Sequence, residues 1–143
     1  MSRNTIDHEL RYTWQTVSKM YNEEASKIGG SMAIGFALLS LNPKKGTPST
    51  SLGPKMGMES TSLSRTLKTM EDYKLIERVP NPDDGRGVLI QLTTFGIEVR
   101  DTSKAVVMKF NNAIIKKIGK KNIDNFFNVM EEINKLIKNK EIF

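Results

Sequence analysis

"ESTSLSRTLKTMEDYKLIERVPNPDDGRGVLIQLTTFG", residues 59–96, passes from one helix through two strands into the start of another. Leu63, Leu67 and Met70 recur at helical spacing, so one side of a helix over residues 59–75 should face a core. "IERVP" and "VLIQL" read as short strands, because Val88, Ile90 and Leu92 alternate with Leu89 and Gln91. Between them, Asn81 to Gly87 is expected to form a loop longer than the roughly two to five residues usual in a hairpin. Thr93 or Thr94 then caps the next helix.

Upstream, a short helix is expected from Thr50 to Met56; Pro54 forces it to begin late or be irregular. Before it, "NPKKGTPSTS" (42–51) is turn chemistry. A helix over Met32 to Leu41 has Ser31 as its cap, and Gly29-Gly30 separates it from an earlier amphipathic helix. That first helix carries Ile6, Leu10, Trp14, Val17, Tyr21 and Ile28. Downstream, a long helix holds Val99, Val106, Phe110, Ile114 and Ile118, and "GKKN" (119–122) punctuates it. The last helix places Ile123, Phe126, Phe127, Met130, Ile133 and Ile137 on one side. The fold class expected is mainly α with a small β-hairpin.

The helix over 59–75 is unusual in composition. Ser60, Thr61, Ser62, Ser64, Thr66 and Thr69 are mediocre helix formers, and folding alone does not call for six of them. Opposite the apolar stripe they leave a short, hydroxyl-rich face with Arg65 and Lys68. Hydroxyls bond phosphates and base edges, an arginine forks onto guanine, and a lysine neutralises a phosphate. A solvated surface with a few caps would look similar. What favours nucleic acid is the order: short helix, this helix, then a hairpin whose tip offers Arg86 to a minor groove.

Composition narrows the function classes. In 143 residues, Lys and Arg outnumber Asp and Glu by 22 to 16, a basic balance that suits a polyanionic partner. With no cysteine, thiol catalysis, thiol redox sensing and disulfides are excluded. The most apolar run, "MAIGFALLSL" (32–41), is half the roughly 20 residues a membrane span needs, and the N-terminus has no secretory core. A cytoplasmic protein is expected. An enzyme is not, since His8 is the single histidine and no catalytic or nucleotide-binding spacing appears. No cofactor or metal is implied; Asp83-Asp84 reads as a turn-forming pair.

The stretch 50–96 resembles the core of the MarR family of bacterial winged-helix transcription regulators. The carrying residues are Asp84-x-Arg86 followed by Leu92-Thr93-x-x-Gly96, with Leu63-Ser64-Arg65, Met70-Glu71 and Leu75-Ile76-x-Arg78. The resemblance implies one MarR-like domain over 1–143. Residues 1–30 and 97–143 would supply dimerisation helices, and 31–96 a winged helix-turn-helix lobe that binds double-stranded DNA. Its recognition helix would use Ser60, Thr61, Ser62, Ser64, Arg65, Lys68 and Thr69; its wing Asp84, Gly85, Arg86 and Gly87. Gly85 and Gly87 would let the tip turn, and Gly96 would allow close packing in the next helix. The chain departs from the family at Leu52-Gly53-Pro54, where Leu-Ala is common. It departs again at Lys74, where a glycine commonly closes the recognition helix, so helix geometry is expected to shift by a residue or two.

By the same resemblance the protein is a homodimeric repressor on a pseudo-palindromic operator, released by a small aromatic or anionic effector. Arg11, Tyr12, Trp14 and Phe36 are the candidates to line the effector crevice, although Trp14 and Phe36 read more readily as core. The competing class is a winged-helix protein-interaction module without DNA binding. It draws on the charge distribution: residues 41–92 hold eight basic and six acidic side chains, residues 97–143 ten and six.

Overall fold

The structure, a computed structural model, describes residues 5–143, apart from the Arg86 side chain. The chain divides into two compact units, up to Lys104 and Ala105–Phe143.

In the first unit, α1 (Ile6–Ser26) starts where the Thr5 hydroxyl oxygen accepts from the His8 amide, with Asp7 and Glu9 complementing the positive helix end. The helix stops at Ser26, so Ile28 lies past its end, and Gly29 takes φ +78°. The Ser31 hydroxyl oxygen caps α2 (Met32–Ser40) by accepting from the Ile34 amide. Its residues Ile34, Ala37 and Leu38 are buried.

The segment read as turn chemistry contains a strand. The Asn42 carboxamide oxygen accepts from the Lys44 and Lys45 amides, and the buried Thr47 hydroxyl oxygen accepts from the Asn42 amide. That folding-back delivers β1 (Thr47–Pro48) to the sheet. Gly46 makes the approach feasible, since a Cβ there would stand 2.8 Å from Leu89 Cβ. A two-residue strand is too short to show an alternating pattern, and its proline is tolerated because β1 is an edge.

A 3-10 turn over Ser49–Ser51 leads into α3 (Leu52–Met56), so the short helix begins late. Pro54 is its third residue, where no intrahelical amide bond is lost. Left-handed Gly57, φ +63°, ends α3. After it, α4 (Ser60–Asp72) buries Leu63, Leu67 and Met70. Strands β2 (Ile76–Asn81) and β3 (Asp84–Leu92) follow, and the sheet order is β1-β3-β2, all antiparallel.

The hairpin tip differs from the long loop expected. Register runs regularly from Ile76↔Leu92 to Pro80↔Val88, then jumps to Asn81↔Asp84. Pro82-Asp83 is therefore a two-residue turn, stiffened by the Asp83 amide donating to the Asn81 carboxamide oxygen. The remaining residues, Gly85-Arg86-Gly87, bulge out of β3. Neither glycine has a left-handed φ, so the tip does not turn on them. Space is tight at Gly87, where a Cβ would lie 3.2 Å from Asp84 Oδ2.

One cluster joins these elements: Ile34, Ala37, Leu38, Leu41, Leu52, Leu63, Leu67, Met70, Leu75, Ile76 and Ile90, with Met56, Met58, Leu92 and Val99 against it. Thr93 caps α5 (Thr94–Ile118), its hydroxyl oxygen accepting from the Gly96 amide at 2.9 Å. The close packing expected at Gly96 is present, as a Cβ there would fall 2.0 Å from the Leu75 carbonyl oxygen.

The second unit comprises the later part of α5 and α6 (Lys120–Lys138), separated by Gly119 at φ +96°. No residue of α6 is buried within the chain.

Candidate nucleic-acid interface

Helices α3 and α4 with the Gly57 turn between them form a helix-turn-helix, and β2–β3 stands behind α4 as a wing. The buried stripe fixes which way α4 faces: Ser60, Thr61, Ser62, Ser64, Arg65 and Lys68 are exposed together. Glu59 sits at the N-cap and makes no side-chain cap bond, so the first-turn amides of α4 have no side-chain acceptor. That end is electrostatically suited to an anion.

The cations are not equivalent. Arg65 is exposed, and among the described residues no ion pair involves it. Lys68 Nζ lies 4.0 Å from Asp72 Oδ1, a solvent-screened pairing that a phosphate would compete with. Thr69 is only half-exposed, and its hydroxyl donates to the Arg65 carbonyl, which leaves it lone pairs but no proton to offer. On the wing, Asp84, Gly85 and Gly87 surround Arg86, whose backbone is in β3 and whose side chain lies outside the described residues.

Sequence reading did not single out Arg78 as a site residue. It reaches back from β2 to Glu71 at 3.4 Å and borders an open cleft of about 720 Å³ with Thr50, Met58, Ser60 and Ser64. Opposed to Ile90 in the β2–β3 register, Arg78 lies on the same sheet face as buried Ile76 and Ile90 yet stays exposed; a cation two residues after a core isoleucine is the available signal.

The four effector candidates differ in their surroundings. Arg11 is exposed and lies 3.7 Å from Asp7; Tyr12 is exposed and stacks on His8, with ring centres 6.5 Å apart. Trp14 is 53% exposed, which corrects its reading as core. Phe36 alone packs inward, edge-on to Tyr21 at 5.5 Å, and burial pushes the Tyr21 phenol pKa up. Elsewhere, Ser18 Oγ and Arg100 Nε are buried without a hydrogen-bond partner. Among the described residues no cluster of His, Asp or Glu could hold a metal, and no helix is long and apolar enough to cross a membrane.

Residues 31–88 match the model of the MarR family, a span that takes in α2, the helix-turn-helix and most of the wing. That segment of the chain is similar to the MarR family. Similar solved structures agree along nearly the whole length of the chain. The MepR–DNA complex from S. aureus shares 16% identity at a TM-score of 0.84, over 93% of this chain and 98% of that one. A mutant MarR from E. coli complexed with operator DNA shares 21% at 0.80, over 90% and 92%. PcaV from Streptomyces coelicolor, a transcriptional regulator in complex with its natural ligand, shares 19% at 0.77, over 94% and 98%. At these identities the likeness establishes the fold. No curated protein matches the sequence significantly. The winged-helix fold expected from the sequence is the one observed.

Proposed function

We propose that this protein is a sequence-specific, double-stranded-DNA-binding repressor of the MarR family. It acts as a cytoplasmic homodimer on a pseudo-palindromic operator, and a small effector releases it. The carrying observation is the exposed face of α4. Six hydroxyl and cationic residues stand in solvent on a helix whose other side is locked into the core, and none of the six is needed there for packing. Two of the similar structures hold DNA, which supports the same use here.

In this reading Arg65 reads a base edge, Lys68 and the α4 hydroxyls hold phosphates, and Arg86 enters the minor groove beside the half-site. Dimerisation is supported by the apolar residues left exposed on α1 and α6, including Leu10, Phe126, Phe127 and Ile137. Two-fold symmetry would then set the half-sites about one DNA turn, roughly 10 base pairs, apart. Effector control finds support in the ligand-bound PcaV structure.

Fluorescence anisotropy with a generic duplex at two salt concentrations tests the reading. Several phosphate contacts require log affinity to fall steeply with log salt, close to one unit per contact. A flat profile would reject DNA binding and favour the protein-interaction module.

A further inference from the structure

The exit of α4 is held in a way that packing alone does not require. Lys74 adopts φ +61°, and with Lys140 it is one of two non-glycine residues at positive φ among the described residues. An L side chain resists that conformation, which brings Cβ close to its own carbonyl oxygen. Lys74 nevertheless completes a full helix-closing motif. Its amide donates to the Glu71 carbonyl at 3.0 Å, and the Leu75 amide donates to Met70 at 2.9 Å.

A single side chain grips this strained turn from outside. The Thr93 hydroxyl donates to the Lys74 carbonyl at 2.7 Å, with a longer arm of 3.2 Å to the Leu75 carbonyl. Its amide donates to Leu75 as well, at 3.0 Å. The same hydroxyl oxygen accepts the Gly96 amide and so begins α5. Gly96 lets the first turn of α5 come down onto the Leu75 carbonyl. The end of α4 and the start of α5 thus meet at one hydroxyl group.

We infer that Thr93 is a positioning residue for DNA recognition. By holding Lys74 in the left-handed conformation, its hydroxyl fixes the exit of α4, and with it the angle at which Arg65 and Lys68 are presented. The inference rests on the DNA-binding reading. It assigns to Thr93 more than an α5 cap, and to Lys74 a role carried by its backbone, not its charge.

The test uses the full-length protein and a duplex that the wild type selects from a random pool, with anisotropy as the readout. Lys74→Gly and Lys74→Val remove the same charge but differ in backbone preference, since glycine accepts positive φ and a β-branched residue does not. Lys74→Gly should bind the selected duplex within about threefold of wild type, and Lys74→Val at least tenfold more weakly than Lys74→Gly, on the order of the 1.4 kcal/mol that a factor of ten represents. Thr93→Val should lose about tenfold, and Thr93→Ser, which keeps the hydroxyl, should stay within about threefold. Adding Lys74→Gly to Thr93→Val should restore most of the loss, which a mere α5 capping role would not permit. If Thr93→Val fails to fold, the position-74 pair still decides, because it leaves the cap intact. Equal binding by Lys74→Val and Lys74→Gly, or no rescue in the double variant, overturns the clamp while leaving DNA binding standing. A wild type that selects no duplex overturns the DNA reading and the inference together.

Discussion

Helices α4 and α6 are both strongly two-sided, yet they meet opposite fates within the chain. The stripe of α4 disappears into the core, with Leu67 at 3% exposure. That of α6 stays in solvent: Phe126 is 50%, Phe127 56% and Ile137 62% exposed. The same periodicity therefore carries two messages. In α4 it reports a fold completed inside one chain. In α6 it reports a surface whose burial needs something else, and a second copy of this chain is the occupant proposed above.

The sharpest way to break that contrast is to truncate one residue on each helix. Leu67→Ala should cost about 2–5 kcal/mol, the usual range for a buried leucine, and the loss should be the same at every protein concentration. Phe127→Ala should cost less, roughly 1.5–3 kcal/mol per ring removed from an interface, and should make the thermal midpoint fall on dilution. Sedimentation of the Phe127 variant should reveal monomer where the wild type shows dimer. A wild type that sediments as a clean monomer with intact helicity would end the dimer reading.

On the solvent side of α4, Arg65→Ala should relax base preference at one position by about 1–3 kcal/mol. Lys68→Ala should weaken all duplexes alike and reduce the salt slope by about one unit. Identical behaviour of the two would mean that their roles are wrongly divided. At the end of the same helix, Lys74→Gly should raise stability by about 0.5–1 kcal/mol, because relief of the left-handed penalty exceeds the entropy a glycine adds to the unfolded chain.

The smallest effect concerns the start of α1. Hydrogen bonding from the Thr5 side chain, aided by backbone amides and Arg11, holds the Asp7 carboxyl below its ordinary pKa. A carboxyl depressed in the folded state stabilises above its unfolded pKa, and the contribution is lost as pH falls through that range. Acidifying below about pH 4 should therefore fray the first turn of α1, an effect that Asp7→Asn removes. NMR chemical shifts of the Thr5–Glu9 amides would follow it.

Much of the lobe was legible because its helices obey one period and bury one side. Local chemistry points to Ser31 and Thr93 as caps and the resemblance to Gly96 as a close approach, and the structure gives each the expected contact. The failures share a physical reason: each depends on partners distant in sequence or too short to show a pattern. Strand β1 exists because β3 is there to receive it. The tip of the wing closes at Asn81↔Asp84 through cross-strand pairing that composition does not reveal. Local preference disfavours lysine at position 74, where the chain keeps the left-handed closure all the same, bonded to a hydroxyl nineteen residues away. Trp14 was open to a core reading, but its side of α1 finds no cover within the chain.

The bulge in β3 has a consequence for how this protein can change over time. The ladder from Ile76↔Leu92 to Pro80↔Val88 is complete without residues 81–87, and the core residues Ile76 and Ile90 lie within it. Insertions, deletions or exchanges at the tip leave that ladder in register and the core filled. The wing tip is thus a replaceable cassette on a fixed frame. Lineages descended from this chain would be free to diversify there first while the body of the protein stays the same.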